Sequence, residues 1–375
     1  MPRMSARDLT SSPLGRRRFL QLGGLGAAAL GGGGLLAACG GSPSGTSSSS
    51  GLGTLGIQLS WIKNIEFAGE YFADAKGYYT QAGFSGVNLI AGGSAGTSAE
   101  AAVATGKALM GLSSPTLTAP AILQGAQLKT IASTYQKNPF CILSIDSDPI
   151  PTVQAMKGKK IGVQSGGNTT IFKGLLKANG MSESDVTIVP VQYDPTVVTT
   201  GEVAGYMAYT TNEPILLRKK GFKPVQFLFA DYNLPFVAET MVVGQSSIDH
   251  DRAKLKALLV AEIKGWTDAV ASPSQAANHA VTDYGKDQNL SMDEQTAEAV
   301  AQNGLVVSPE AIKNGLFTLS DALIADNIKA LANMGVDITA DKLFDLSLLK
   351  EVYQENPGLI SSFAAAAGSA TTPGK

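Results

Sequence analysis

The chain is predicted to be an α/β protein of two lobes, each a mixed sheet flanked by helices, and three observations carry that expectation. Short β-branched and apolar runs alternate with helically spaced segments between residues 57 and 243, the pattern of strands covered by helices. The alternation comes in two blocks, parted by the extended stretch Asp148-Pro149-Ile150-Pro151. A last strand-like run and a long helical segment then follow, so the first lobe draws on both ends of the chain.

In order, residues 57–59 read as a strand and 67–82 as a helix stopped by Gly83. Strand 87–90, the Ala-rich helix 97–105, strand 109–112 and helix 115–123 come next, and strands 128–132 and 141–145 complete the first set. In the second set, 161–163 is a strand, 168–179 a helix with Gly180 as its stop, and 186–189 and 205–209 are strands. Helix 212–220 ends at Gly221, followed by strands 225–229 and 241–243. Residues 252–363 are mostly helical, and 364–375 read as a disordered tail. The expected lobes are residues 55–143 with 243–363, and 144–242, hinged at two crossover strands near 141–145 and 241–243.

The N-terminus reads as an export signal over residues 1–38. Arg16-Arg17-Arg18-Phe19-Leu20 precedes a Gly/Ala-rich apolar stretch that ends Leu36-Ala37-Ala38-Cys39. The ending resembles a bacterial lipobox, whose cysteine is acylated and becomes the first mature residue; the arginine pair resembles a twin-arginine signal, with Gly15 where Ser or Thr is usual. At 17 residues, 22–38 is short for the ~20 that span a bilayer, which sets cleavage against an uncleaved anchor. Residues 39–54 then form a Gly/Ser-rich tether. Together these imply an extracytoplasmic protein anchored to the cell membrane as a lipoprotein.

Removing residues 1–38 takes away five basic and one acidic residue and leaves an excess of six acidic charges. With no basic run, nucleic acid is excluded as a partner. Only Cys141 remains besides Cys39, and the two histidines, His250 and His279, stand alone. No disulfide, zinc site or cofactor is expected. The chemistry must come from hydroxyls, amides, carboxylates and rings, which points to recognition more than catalysis.

The first strand leads into Ser60-Trp61-Ile62-Lys63-Asn64-Ile65-Glu66-Phe67-Ala68-Gly69, then Tyr71-Phe72-Ala73 and Lys76-Gly77-Tyr78-Tyr79. Gly83 to Gly93 (GFSGVNLIAGG), Lys159-Lys160-Ile161-Gly162-Val163 and Tyr209-Thr210-Thr211-Asn212-Glu213-Pro214 follow in order. Over residues 55–270 this series resembles the extracytoplasmic substrate-binding proteins of ABC importers, in the branch serving nitrate, sulfonates, thiamine pyrimidines and riboflavin-like compounds. The resemblance implies a periplasmic-binding-protein fold of type II-like layout. It also implies a small-molecule nutrient as ligand, a permease with its ATPase as partner, and a protein that performs no chemistry itself. A monomer is expected.

Each candidate ligand residue carries a plainer reading beside the functional one. Trp61, just past a strand end, either stacks on a flat ring or caps the core. Asn64 orients a ligand or holds its turn. Ser94, within the loop 92–98, and Ser113, Ser114, Gln164 and Asn168 follow strand ends, where each either lines a pocket or caps a helix. Asn212 and Glu213 bind ligand or start a helix before Pro214. Tyr135, Tyr209 and Tyr232 are candidate aromatic walls. A carboxylate in the cleft and the scarcity of arginine near these loops favour a neutral heteroaromatic over sulfonate or nitrate. Gly92-x-Ser94-x-Gly96 also matches a hydrolase nucleophile elbow, which opens a rival reading as a secreted serine hydrolase, although neither histidine has a catalytic setting.

Overall fold

The computed structural model describes residues 51–93 and 96–370. The expected export signal, Cys39, most of the tether, Ser94 and residues 371–375 lie outside them. Along the chain the strands are β1 (Thr54–Gln58), β2 (Gly86–Ile90), β3 (Met110–Ser113), β4 (Leu128–Tyr135) and β5 (Phe140–Ile145). Then come β6 (Lys160–Gln164), β7 (Thr187–Val191), β8 (Gly205–Tyr209), β9 (Pro224–Leu228) and β10 (Ala238–Gly244).

They form two five-stranded sheets, ordered β2-β1-β3-β10-β4 and β7-β6-β8-β5-β9. In the first, β1 runs parallel to β2 and β3 while β10 is antiparallel to β3 and β4. The second repeats the pattern, with β6 parallel to β7 and β8 and β5 antiparallel to β8 and β9. The fourth place in each sheet is filled by the strand that the chain lays down immediately after crossing from the other lobe. The crossings themselves are residues 136–139 and 229–237. The Asn138 side chain ties them together: its Nδ2 donates to the Leu234 carbonyl at 2.7 Å, and its Oδ1 accepts from the Phe140 N–H at 2.9 Å.

That arrangement moves the expected boundaries. Divisions at 143/144 and 242/243 would cut β5 and β10, which belong whole to the second and first sheet respectively. The expected hinge strands lie inside the sheets, because the change of lobe happens just before each of them.

The helices are α1 (Ala68–Ala75), α2 (Tyr78–Gln81), α3 (Ala99–Ala104), α4 (Pro115–Leu123), α5 (Gly167–Ala178) and α6 (Glu213–Lys219). The return half adds α7 (Gln245–His250), α8 (Arg252–Ala271), α9 (Pro273–Asn278), α10 (Met292–Val306), α11 (Pro309–Asn314), α12 (Asp321–Asn333), α13 (Ala340–Leu343), α14 (Ser347–Glu355) and α15 (Gly358–Ala370). The expected single helix 67–82 is broken into α1 and α2 by Gly77, whose φ of 68° a side chain would strain. Residues 364–370, expected to be disordered, continue α15, with Ala366 and Ala367 buried as the helix lies on α8; alanine favours helix and lets the backbones approach closely. The tether also ends earlier than expected, since the Leu52 N–H donates to Gly83 O at 2.8 Å and Thr54 already begins β1.

Each lobe buries its own core. Ile57, Phe67, Tyr71, Met110, Ile131 and Trp266 belong to the first, and Phe140, Ile161, Phe172 and Met207 to the second. From the return half, Ala330 and Met334 at the end of α12 cross over to join the second core. The tightest join in the first lobe is the crossing of α1 and α8. Here a Cβ on Gly265 would collide with the Gly69 carbonyl oxygen, and one on Gly69 with the Trp266 indole. Gly265→Ala must therefore push two helices apart. It should cost at least about 2 kcal/mol of stability in urea denaturation, and an unchanged midpoint would contradict the close crossing.

Candidate functional site

A cavity of about 490 Å³ lies where strand ends of the two sheets face one another. The first lobe contributes the loop after β1, the start of α3, the β3–α4 junction and the start of β10. The second contributes the β6–α5 junction and the end of β8 with the start of α6. Parallel strands deliver their carboxyl ends to one edge of a sheet, which is why loops far apart in sequence meet here.

Nine of the twelve expected site residues line this cavity: Trp61, Asn64, Ser113, Ser114, Gln164, Asn168, Tyr209, Asn212 and Glu213. Ser94 lies outside the described residues. The other two are corrections. Tyr135 is buried in the first lobe, its hydroxyl donating to Gln302 Oε1 at 2.8 Å, because β4 is an edge strand whose end faces α10. Tyr232 packs edge-on against Phe227 at 5.0 Å. It follows the edge strand β9, two places from β8, too far across the sheet to reach the cleft.

Several plainer readings hold alongside the cavity position. Asn64 Oδ1 accepts from the Glu66 N–H at 3.1 Å, so it stabilises its turn as well. Glu213 Oε2 accepts from the Tyr209 N–H at 2.9 Å at the start of α6. Gln164 and Asn168 bond each other at 3.0 Å, and Gln164 also donates to Met207 O. Trp61 is half-buried and meets the Tyr193 ring edge-on at 4.8 Å. The two rings come from different lobes.

The residues that sequence reasoning missed are chiefly acids. Glu66 and Glu239 are both buried and hydrogen-bonded to each other; Ser60 donates to Glu239 Oε2 at 2.8 Å and Tyr209 reaches Glu239 Oε1 at 3.5 Å. Burial, then the neighbouring Glu239 charge, holds Glu66 well above the ordinary carboxylate range, and burial pushes Glu239 up to about 7. Glu239 has a φ of 49° inside a strand, a conformation that costs energy and clusters at functional sites. Glu100 lines the wall, its Oε1 accepting from the hydroxyls of Ser113 and Thr118. Behind Asn212, Glu298 of α10 accepts from Asn212 Nδ2 at 3.2 Å and from Gln295 at 3.0 Å, and burial followed by the Glu213 charge raises its carboxyl. Gln295 in turn accepts from the Ile65 N–H at 2.8 Å, so α10 connects the tryptophan loop to the second lobe.

No Lys, Arg or His stands among the described lining residues; the neighbouring Lys63 and Lys137 are not in the wall. His250 bonds Ser246 O on the exposed α7, and His279 pairs with Asp283 at 2.8 Å, both away from the cavity. Such a site can accept hydrogen bonds and stack on flat surfaces, and its described lining offers an anion no cationic partner.

The comparisons with known proteins agree with this architecture. A family model described as NMT1/THI5 like matches residues 64–276. The riboflavin-binding protein RibY of Chloroflexus aurantiacus is 30% identical over 224 residues, covering 59% of this chain and 63% of that relative's length. Among solved structures, the periplasmic nitrate-binding protein NrtA from Synechocystis PCC 6803 superposes with a TM-score of 0.60 at 13% identity, covering 85% of this chain and 98% of that one. The periplasmic aliphatic sulphonate binding protein SsuA from Escherichia coli gives 0.56 at 13% identity, covering 82% and 93%. The fold is therefore that of the periplasmic solute-binding proteins.

The half-buried Glu213 yields a pH signature. Burial pushes its carboxyl from an ordinary 4.5 up to about 7. Between those values the folded form keeps a proton that the unfolded chain has released. Its contribution is thus fully present at low pH and is lost as pH rises through the window. Stability should fall by about 1–2 kcal/mol from this group between about pH 5 and pH 8, and Glu213→Gln should flatten that part of the urea profile. Parallel wild-type and variant profiles would contradict a buried neutral acid here.

Proposed function

This chain belongs to the NMT1/THI5-like family, and on that premise we propose that it is the solute-binding receptor of an ABC importer for a small, flat, uncharged heteroaromatic nutrient. The observation that carries the reading is the make-up of the cavity: the Trp61 and Tyr209 rings beside Glu66, Glu213 and Glu239, with no cationic side chain among the described lining residues. A planar ring stacks on the aromatic side chains while its N–H or O–H edge donates to the carboxyl groups. A riboflavin-type ligand is favoured over a thiamine pyrimidine by the relative RibY, whose name states riboflavin binding.

Nitrate and sulfonate, the ligands named for NrtA and SsuA, fit poorly, because an anion here would meet carboxylates instead of guanidinium or ammonium groups. A hydrolase reading lacks a histidine in the cavity wall. The receptor breaks no bond. It captures the nutrient as the lobes close and delivers it to a permease and its ATPase, acting as a monomer. Its place is outside the cytoplasm, held to the membrane by acylated Cys39 after export by the twin-arginine route; among the described residues no helix is long and apolar enough to cross a membrane.

Riboflavin fluorescence should be quenched on titration with the protein, and Trp61→Ala should weaken binding by about tenfold through lost stacking without unfolding the chain. Saturable binding of nitrate or an alkanesulfonate with no response to flavins or thiamine pyrimidines would overturn the reading. Cys39→Ala should move the protein from the membrane fraction to the soluble one; retention in the membrane would favour an uncleaved anchor.

A further inference from the structure

The cavity has a second arm that a flat ring at the strand ends leaves unused. It follows one face of α4, where Thr116, Pro120 and Gln124 recur every fourth residue and line about 12 Å of helix. Gly167 and Thr170 of α5 form the opposite wall. A further hollow of about 380 Å³ shares Thr116, Pro120 and Thr170 with it as lining residues.

At the root of the arm stands Glu100, only 6% exposed. Both of its hydroxyl donors, Ser113 and Thr118, serve the same oxygen, Oε1, and no described residue bonds Oε2. With both donors on Oε1, Oε2 stands open to an O–H or N–H donor from the cavity. Beside it the hydroxyls of Ser114 and Thr116 bond each other at 2.7 Å. A hydroxyl carries one donor and two acceptor sites, so this pair still offers hydrogen bonds to a ligand. A purely apolar chain would leave Oε2 without a donor, and an anionic chain has none to give it.

We propose that the ligand has two parts, a planar ring held at the strand ends and a chain of hydroxyl groups that leaves along Glu100, Ser114 and Thr116 between α4 and α5. This rests on the heteroaromatic reading of the ring site and adds a polyol subsite to it. Each chain hydroxyl donates to the Glu100 carboxylate or exchanges hydrogen bonds with the Ser114–Thr116 pair, while Leu117 and Ile171 cover its C–H faces.

The test titrates the detergent-solubilised full chain with riboflavin, which carries a ribityl chain, and with lumiflavin, which keeps the ring but has a methyl group in that place. Riboflavin should bind about tenfold tighter or more, the effect of losing a charged hydrogen bond and its neighbours. Glu100→Gln and Thr116→Val should each remove most of that advantage while leaving lumiflavin affinity unchanged. The near-isosteric Thr116→Val serves should Glu100→Gln fail to fold. Equal affinity for the two flavins, or variants that weaken both alike, overturns the polyol subsite and leaves the ring site standing. If neither flavin binds, the ring reading falls and the subsite falls with it.

Discussion

A pair of carboxyl groups buried together, with no cation among the described lining residues, is the constraint on which the rest of the cleft depends. Glu66 and Glu239 touch at the floor of the cavity, and two adjacent carboxylates cannot both hold charge out of water. One proton stays with the pair, and the Ser60 and Tyr209 hydroxyls supply further hydrogen bonds to Glu239. Any ligand that enters must offer donors or remain neutral, so this one arrangement sets the chemistry of recognition before shape is considered. Glu239 takes this place with a φ of 49° within β10, a strained backbone of the kind that clusters at functional sites.

The fold makes that pairing possible by a repeated device. The two sheets share one strand order, and each receives its fourth strand at the moment the chain changes lobes. Consequently the start of β10, which carries Glu239, stands beside the end of β3, with Thr240 opposite Ser113. Tyr209 arrives from the other lobe at the end of β8 and reaches the same carboxyl. The bonds Tyr209–Glu239 and Asn212–Glu298 therefore join the lobes across the cleft. Asn138 ties the two crossings together behind it. Recognition and closure draw on the same groups, and a ligand that favours the closed arrangement shifts the lobes by its differential contacts.

Much of this was legible in the sequence where local chemistry decides the outcome. Pro115 at the first position of α4 and the run Gly205 to Tyr209 placed one helix and one strand to the residue. Trp61, Asn64 and Glu213 were visible because each follows a strand end, and Asn64 and Glu213 also stand at helix starts. What depends on sheet order was not legible. Tyr135 ends a strand and Tyr232 follows one, but both are edge strands, and no local pattern distinguishes these from central ones. Glu239 stands in an unremarkable apolar run, Ala238 to Val243, and only its positive φ marks it. Glu66 was masked by the aromatic residues around it. The composition of 364–370 suggests disorder, whereas α8 offers it a surface to lie on.

The most direct measurement is a crystal structure of the protein grown with riboflavin. The account predicts the ring against Trp61 in the cleft, with its polar edge toward Glu66 and Glu239 and its chain toward Glu100. An anion in place of the ring, or a flavin bound elsewhere with the carboxyl pair untouched, would contradict it.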